Sequence, residues 1–281
     1  MVHQVPNVFA HSFSSDDSSY FLGLDKRTKV ELELAEKNYP LNITLSMDHS
    51  DNAARLVYDI YYADDDIVDD VDFIKRYEKE VNSSNSTTYA LVVADLLDAV
   101  LKGYADALVI DTDLTNMSNL VLLDEMKKNL TKQNNSNNAS SETGSDNNNN
   151  GEVSESEPSK LFSANNPIFN YADYETAKAL IVEIKDIFNN HLKQPSNVTD
   201  QSTDSISKLK KDLEKLSDLI NNNNGMPAEV MKLVHLQIHP LLQTAFALKI
   251  KNMDGQMNMD GQMNMDGQMN MDGQMNMDDG E

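Results

Sequence analysis

Two groups of aspartates have the residue type and spacing that could support chemistry. Asp65, Asp66 and Asp69 form an Asp-Asp-x-x-Asp pattern, and Asp111 and Asp113 follow a short apolar run. On a helix, residues 65 and 69 lie one turn apart, so their carboxylates could share Mg²⁺ ions that bridge a diphosphate. The first three aspartates are therefore candidate metal ligands, and the last two are candidate catalytic residues.

The first group resembles the Asp-rich motif of trans-isoprenyl diphosphate synthases. The basic run 26–29, the Lys75-Arg76 pair and the Ala94-Asp95 pair lie roughly where that family has its other motifs. The resemblance implies an all-helical, Mg²⁺-dependent enzyme that acts on diphosphates. The chain departs from the pattern because its basic run lacks the family's glycines and proline, and no second Asp-rich motif follows.

Residues 107–115, ALVIDTDLT, resemble the first motif of haloacid-dehalogenase-like phosphatases. The resemblance implies that Asp111 is a nucleophile and Asp113 a general acid/base, with Mg²⁺ between them and the phosphate. The later strands that this family needs, with a Ser/Thr, a Lys and an acidic pair, are not found after residue 130. An Asp-x-Asp pair after a strand also commonly caps the next helix, so a purely structural role stays open.

The histidines and methionines form no recognisable cofactor motif. His235 and His239 are four apart on a predicted helix, but the glutamate of His-Glu-x-x-His is missing. Met257-Asn258-Met259 and its repeats could hold Cu(I), although their composition is more typical of a disordered repeat. The chain has no cysteine, which excludes disulfides and thiolate ligands. We predict no bound cofactor.

The first 130 residues predict an α+β fold, a small sheet with an N-terminal hairpin and packed helices. Apolar positions 30, 32 and 34, and then 41, 43, 45 and 47, alternate with polar residues on both sides of a Pro-containing turn, which predicts the hairpin. Residues 105–110 are apolar except for Asp106, which predicts a buried strand that ends at Asp111. Helices are predicted near 53–60, 67–77, 89–101 and 120–130, with Gly103 ending the third.

The second half of the chain predicts helices between low-complexity segments. Residues 131–164 are rich in Asn, Ser and acids and predict a disordered linker, and the Asn-Met-Asp-Gly-Gln-Met repeats of 252–281 predict a disordered acidic tail. Helices are predicted near 177–191 and 206–220, and from Pro227 onward with a kink or restart at Pro240. A coiled-coil-like spacing of three and four residues defines the predicted partner-binding seam: Ile206, Leu209, Leu213, Leu216 and Ile220.

The charge of the chain limits its partners. Its 281 residues carry a formal net charge of −23, which disfavours direct binding to nucleic acids and favours basic protein partners. The sequence shows neither a signal peptide nor a run of membrane-spanning length. With the lack of cysteine, these features predict a cytoplasmic or nuclear protein.

The predicted organisation is an irregular N-terminus (1–19), an α+β domain (20–130), a disordered linker (131–164), a helical region (165–251) and a disordered tail (252–281). No complete catalytic constellation accompanies the aspartates. We therefore predict a non-catalytic interaction or assembly subunit of an intracellular complex, which binds through amphipathic helices. The alternative is a Mg²⁺-dependent enzyme that acts on a phosphate or diphosphate through its Asp-rich motifs.

Overall fold

The computed structural model describes residues 17–63, 70–120, 161–163, 166–192 and 200–249, and all regular secondary structure within these ranges is helical. The predicted α+β fold with a small sheet is therefore wrong. The elements are α1 (Asp17–Asn38), α2 (Ile43–Ala63), α3 (Asp70–Ser83), α4 (Ser86–Ala107), α5 (Tyr171–His191), α6 (Asp200–Asn221), α7 (Pro227–Leu233), a π-helical turn (Val234–Ile238) and α8 (His239–Phe246).

Residues 30–47, which the sequence predicts as a β-hairpin, form the end of α1, a short turn and the start of α2. Val30 and Leu34 are buried, whereas Leu32 between them is 55% exposed and Glu31 is 4% exposed. Burial therefore follows the spacing of four that a helix produces, not the spacing of two that a strand produces. The hairpin prediction failed because a buried glutamate and an exposed leucine reverse the expected distribution of polar and apolar residues.

The α4 helix is the centre of the fold. Its side chains are buried along most of its length and nearly all around its circumference, as expected for a helix surrounded by others. The α1, α5, α7 and α8 helices all pack against it. Its first turn is capped by Asn85, whose side chain accepts hydrogen bonds from the backbone N–H groups of Thr87 and Thr88.

The predicted strand at residues 105–110 is the last turn of α4 and the reversal after it. The backbone N–H groups of Leu108 and Ile110 both donate to the carbonyl of Ala105, and Val109 takes a left-handed φ of 53°. The run is mostly apolar because four of its residues are buried (105, 107, 108 and 110), and periodicity cannot separate such a segment from a buried strand. Gly103 does not end the helix. A Cβ at Gly103 would lie 3.2 Å from the carbonyl oxygen of Asp173, so glycine allows α5 to approach α4 closely.

The second half of the chain packs onto the first. The α5 helix lies along α4 and also contacts α1 and α2, while α6 packs against α5, α7 and α8. The π-helical turn directly precedes Pro240, at the position where the sequence predicts a kink or restart. Among the described helices, none combines the length and apolar character needed to cross a bilayer.

The described residues cluster as one compact unit. The irregular N-terminus, nearly all of the linker at 131–164, and the tail at 252–281 lie outside the described residues. The boundaries of the proposed domains therefore stay a prediction.

Candidate functional site

The predicted partner-binding seam lies inside the protein. Leu209, Leu213, Leu216 and Ile220 are each no more than 2% exposed, and Ile206 is partly buried against the same core. Their helix, α6, packs against α5, α7, the π-helical turn and α8. In the isolated chain these side chains therefore face their own fold, and a partner would have to displace a neighbouring helix to reach them.

The two candidate catalytic aspartates lie in the loop after α4, not at the end of a sheet strand. Asp113 accepts hydrogen bonds from the backbone N–H of Thr115 at 2.9 Å and from its hydroxyl at 2.7 Å, which is a local turn arrangement. Asp111 is exposed. The strand that the phosphatase resemblance requires is replaced here by a helix end.

The candidate metal ligands Asp65, Asp66 and Asp69 lie outside the described residues. Within the described part of the chain, no group of three or more His, Asp or Glu side chains is arranged to hold a metal ion. His235 and His239 are both buried, with their rings 5.2 Å apart, and Nε2 of His235 lies 2.9 Å from the carbonyl oxygen of Leu114.

A buried polar network joins α1, α2 and α5. The ring of His49 is fully buried on α2, with Nδ1 at 2.7 Å from the Glu31 carboxylate and Nε2 at 3.6 Å from the Glu175 carboxylate. The hydroxyl of Thr176 donates to Glu31 at 2.8 Å, and the side chain of Asn38 donates to Glu175 at 2.8 Å. Buried charged groups with this many partners hold their helices in one arrangement, because separating them would leave the charges unpaired.

The charge of Glu175 is favoured by this network. Burial alone would raise the pKa of Glu175, but hydrogen bonds from Asn38 and Lys37, together with the charges of Lys37 and His49, hold it below its ordinary value. A carboxylate that stays ionised continues to accept these hydrogen bonds at neutral pH. The network therefore fixes α2 against α1 and α5 without using the outward side of α2.

That outward side carries a second set of apolar residues, which we call the α2 stripe: Ile43, Met47, Ala54, Val57 and Tyr58. Spacings of four from 43 to 47, seven from 47 to 54, and three and four from 54 to 57 and to 58 place them on one side of the helix, with Ser50 between them. All five are exposed, and Ile43, Met47 and Tyr58 are 61%, 61% and 59% exposed. In the described part of the chain, the α2 stripe is an apolar helix face that is directed to solvent.

The apolar surface continues into the turn before α2. Tyr39 is 68% exposed and Leu41 is 87% exposed, although both belong to residue types that are usually buried. Contiguous exposed apolar surface of this kind often marks a site where another protein binds. The turn and the α2 stripe together form the candidate interaction surface.

The exposed charges of α2 are mostly acidic. Asp48, Asp51 and Asp59 are exposed on α2, and Arg55 is the one exposed basic residue on the described part of that helix. On the helix surface Asp51 lies next to the stripe, whereas Asp48 and Asp59 lie on the opposite side of α2.

Sequence reasoning missed this surface for an identifiable reason. The alternating pattern predicts one buried strand for Ile43 and Met47, and Val57 falls with Leu56 on the predicted buried face of a helix. A helical projection of residues 43–60 contains the signal, because positions 46, 49, 53, 56 and 60 follow one three-and-four spacing and positions 43, 47, 50, 54 and 57 follow another. Only the structure shows that the first set is buried and the second exposed.

In comparisons with known proteins, no protein family, curated protein or solved structure matches the chain.

Proposed function

We propose that this protein is a non-catalytic interaction subunit, which binds an amphipathic, basic helix of a partner protein along the α2 stripe. The observation that carries the proposal is the second apolar face of α2, exposed on a helix whose first apolar face is already packed. The absence of cysteine and the net charge of −23 support a place in the cytoplasm or nucleus, with protein and not nucleic acid as the partner.

The spacing of the stripe fits a helix better than an extended peptide. Side chains that recur every three and four residues form the seam into which a second helix packs its own side chains. The stripe runs from residue 43 to residue 58, about 24 Å at 1.5 Å per residue, which is the length of a short helical binding segment. Met47 and Tyr58 are suitable anchors because methionine adapts to its partner's shape and tyrosine has high contact area at low entropic cost.

The charge beside the stripe favours a basic partner. Asp51 lies beside the stripe, so a partner helix with Lys or Arg next to its apolar face would gain a complementary contact there. Such a charge mainly accelerates and selects the encounter, whereas the buried apolar residues supply most of the affinity. Binding should therefore weaken as the salt concentration rises, without being abolished.

The packing of α2 supports a preformed site. His49 is fully buried between two glutamates on the inner side of the helix, so the outer side is presented by a fixed element. A preordered surface loses less entropy on binding than a flexible one. The buried seam on α6 does not need to open for this mode of binding.

The test is co-purification with the full-length chain from a native lysate, followed by mass spectrometry. Met47→Asp and Tyr58→Asp should each remove the partner, because a charge would replace an apolar anchor of the contact. Val182→Asp is the matched control, since Val182 is an apolar side chain on α5 that is 62% exposed and lies off the stripe. Circular dichroism should show that all three variants stay folded.

Two results would overturn the proposal. One is a partner that is lost equally with Val182→Asp and with the stripe variants, which would indicate a nonspecific effect of the added charge. The other is sedimentation showing a homodimer of the purified chain that Met47→Asp dissociates, because a second copy of the same acidic chain would then cover the stripe.

A further inference from the structure

The α4 helix ends in a conformation that its sequence does not favour. The backbone N–H of Ile110 donates to the carbonyl of Ala105 at 3.0 Å, and that of Val109 donates to the carbonyl of Asp106 at 3.2 Å. These two hydrogen bonds define a Schellman motif, in which the residue after the helix cap is left-handed and is usually glycine. Here that residue is Val109, with a φ of 53°. A β-branched side chain makes this conformation unfavourable.

The side chain of Val109 is not needed to complete this motif. Val109 is 50% exposed, whereas Ile110, the residue whose apolar contact usually accompanies the motif, is already buried. Glycine at position 109 would allow the same two hydrogen bonds without the steric strain. Backbone strain of this kind clusters at functional sites, so residue 109 is a candidate for contact with another molecule.

Two exposed aromatic side chains lie near Val109. The carbonyl of Ala107 accepts hydrogen bonds from the backbone N–H groups of Phe169 at 2.9 Å and Asn170 at 3.2 Å, which holds the start of α5 against the end of α4. Phe169 is 60% exposed and Tyr171 is 62% exposed, although large aromatic side chains are usually covered. We call Val109, Phe169 and Tyr171 the α4 corner.

The exposed charges at the α4 corner are negative. Asp106 lies in the last turn of α4, where the helix dipole favours a basic residue, and that turn contains none. Asp111 follows two residues after Val109, and both aspartates are exposed. Asp173 lies in the first turn of α5, where its charge balances the dipole of that helix. Asp106 and Asp111 are therefore the carboxylates that a ligand at the corner would meet.

The basic residues near Asp106 do not remove this excess of negative charge. A cleft of about 310 Å³ among α1, α2, α4 and α5 has Asp106 on its wall, and its three basic residues face four carboxylates. The nearest base in sequence, Lys102, lies one turn before Asp106, and both side chains are exposed. Among the ion pairs of the described residues, none involves Asp106.

We propose that the α4 corner binds a short arginine-containing segment of a partner protein. A guanidinium group is planar, so it can stack on an exposed aromatic ring and donate two parallel hydrogen bonds to a carboxylate. Phe169 and Tyr171 supply the rings, and Asp106 and Asp111 supply the carboxylates. Val109 offers an apolar contact to the residue beside the arginine. Lysine has no plane to stack and binds a carboxylate as a point charge, so the corner should prefer arginine.

The proposal is tested with the full-length protein and a blocked hexapeptide of alternating leucine and arginine. Isothermal titration calorimetry measures the affinity, and amide chemical shifts locate the site. We expect saturable binding, with the largest shifts at residues 106–111 and 168–171. The same peptide with lysine in place of arginine should bind at least about fivefold more weakly. No saturable binding up to about 1 mM peptide, or shifts on α2 instead of the corner, would overturn the proposal.

Val109→Gly separates the backbone strain from the contact. It should raise the midpoint of urea unfolding, because glycine adopts the left-handed conformation without strain. It should also weaken binding of the arginine peptide at least about threefold, because the apolar contact is lost. A variant that gains stability and still binds the peptide as tightly as the native protein would overturn the proposal.

Phe169→Ser and Asp106→Asn test the ring and the charge. Both side chains are exposed, so the fold should be retained, and each change should weaken peptide binding at least about fivefold. Asp186→Asn is the matched control, because it removes an exposed aspartate near the other end of α5 and should have no effect. Equal weakening by Asp186→Asn would indicate nonspecific attraction to an acidic protein and would overturn the proposal.

Discussion

Asp98 lies on α4 at a position where ionisation of its carboxyl group is unfavourable. Its carboxylate lies 4.0 Å from Nε2 of His239, and the negative charges of Asp95 and Asp113 act on it. Burial, with the repulsion of these two aspartates, raises the pKa of Asp98 to about 7. Asp113, a candidate catalytic residue in the sequence, thus acts here on the protonation of a neighbour.

This raised pKa predicts a measurable dependence of stability on pH. The folded state binds the proton of Asp98 more tightly than the unfolded state, whose pKa is near 3.8. The contribution of Asp98 to stability is therefore complete below about pH 4 and decreases as the pH rises to about 7. Asp98→Asn should remove this decrease, so that the variant unfolds at a higher temperature than the native protein at pH 7.5.

Thermal unfolding of both proteins between about pH 4.5 and 8 measures the effect. The difference between their melting temperatures should increase with pH and become constant above about pH 7. Parallel curves for the two proteins would contradict the raised pKa.

A hydrogen bond from Tyr104 joins the central helix, α4, to the turn between α6 and α7. Its side chain is 1% exposed, and its hydroxyl donates to the carbonyl of Gly225 at 2.7 Å. Tyr104→Phe should lower the free energy of unfolding by about 1–2 kcal/mol, because it leaves the buried carbonyl without this donor. Urea denaturation measures the change, and Tyr171→Phe is the control, since Tyr171 is 62% exposed. Equal effects of the two substitutions would show that the hydroxyl of Tyr104 contributes nothing.

The α6 helix is the element whose role changes most between sequence and structure. Its apolar seam is buried against neighbouring helices, so a charge introduced there should unfold the protein before it affects any partner. We expect Leu213→Asp to abolish cooperative unfolding, because it buries an unpaired carboxylate at a position 2% exposed.

Ser207→Asp is the matched control for that experiment. It adds the same charge to the same helix at an exposed position and should change the free energy of unfolding by less than about 0.5 kcal/mol. Circular dichroism during urea titration measures both variants. A folded Leu213→Asp protein that had lost only a binding partner would show instead that the seam is an intermolecular surface.

The elements with a clear helical period were predictable from the sequence. The helices predicted near 177–191 and 206–220, and the one predicted from Pro227, correspond to α5, α6 and α7. The residues at 30–47 and 105–110 were not predictable, because local patterns do not say which side of a segment will be covered. Leu32 is exposed although it is apolar, and Val109 adopts a left-handed φ although it is β-branched.

The candidate sites were less predictable than the elements, for a related reason. A cleft or an interaction surface is formed by side chains from several helices, and the sequence does not give their relative placement. Arg27, Arg55 and Lys102 are separated by up to 75 positions yet line one cleft. His49 had no motif to mark it, although its ring is the centre of a buried network.

At the scale of the whole molecule, the two halves of the chain share one core. The α5 helix packs along α4 and also contacts α1 and α2, so its buried side is covered by the first half. A fragment of residues 165–251 would expose that side to water. We therefore expect it to lack cooperative urea unfolding when it is expressed alone, because it cannot bury enough apolar surface to offset its conformational entropy.

Adding a fragment of residues 17–130 should restore a cooperative transition, which circular dichroism would detect. A fragment of 165–251 that unfolds alone with the midpoint of the intact protein would contradict this expectation, and would support the division into an N-terminal domain and a separate helical region.

The π-helical turn before Pro240 has a consequence for how the last helices face the core. Val234, Ile238, Leu242 and Phe246 are buried at a constant interval of four residues. In an ideal α-helix this interval turns by about 40° at each step, so such a row winds around the helix and leaves the core. A turn with i→i+5 hydrogen bonds accommodates extra length and reduces this winding. The wider π-helical turn thus keeps these four side chains on the buried side of the helix on both sides of Pro240.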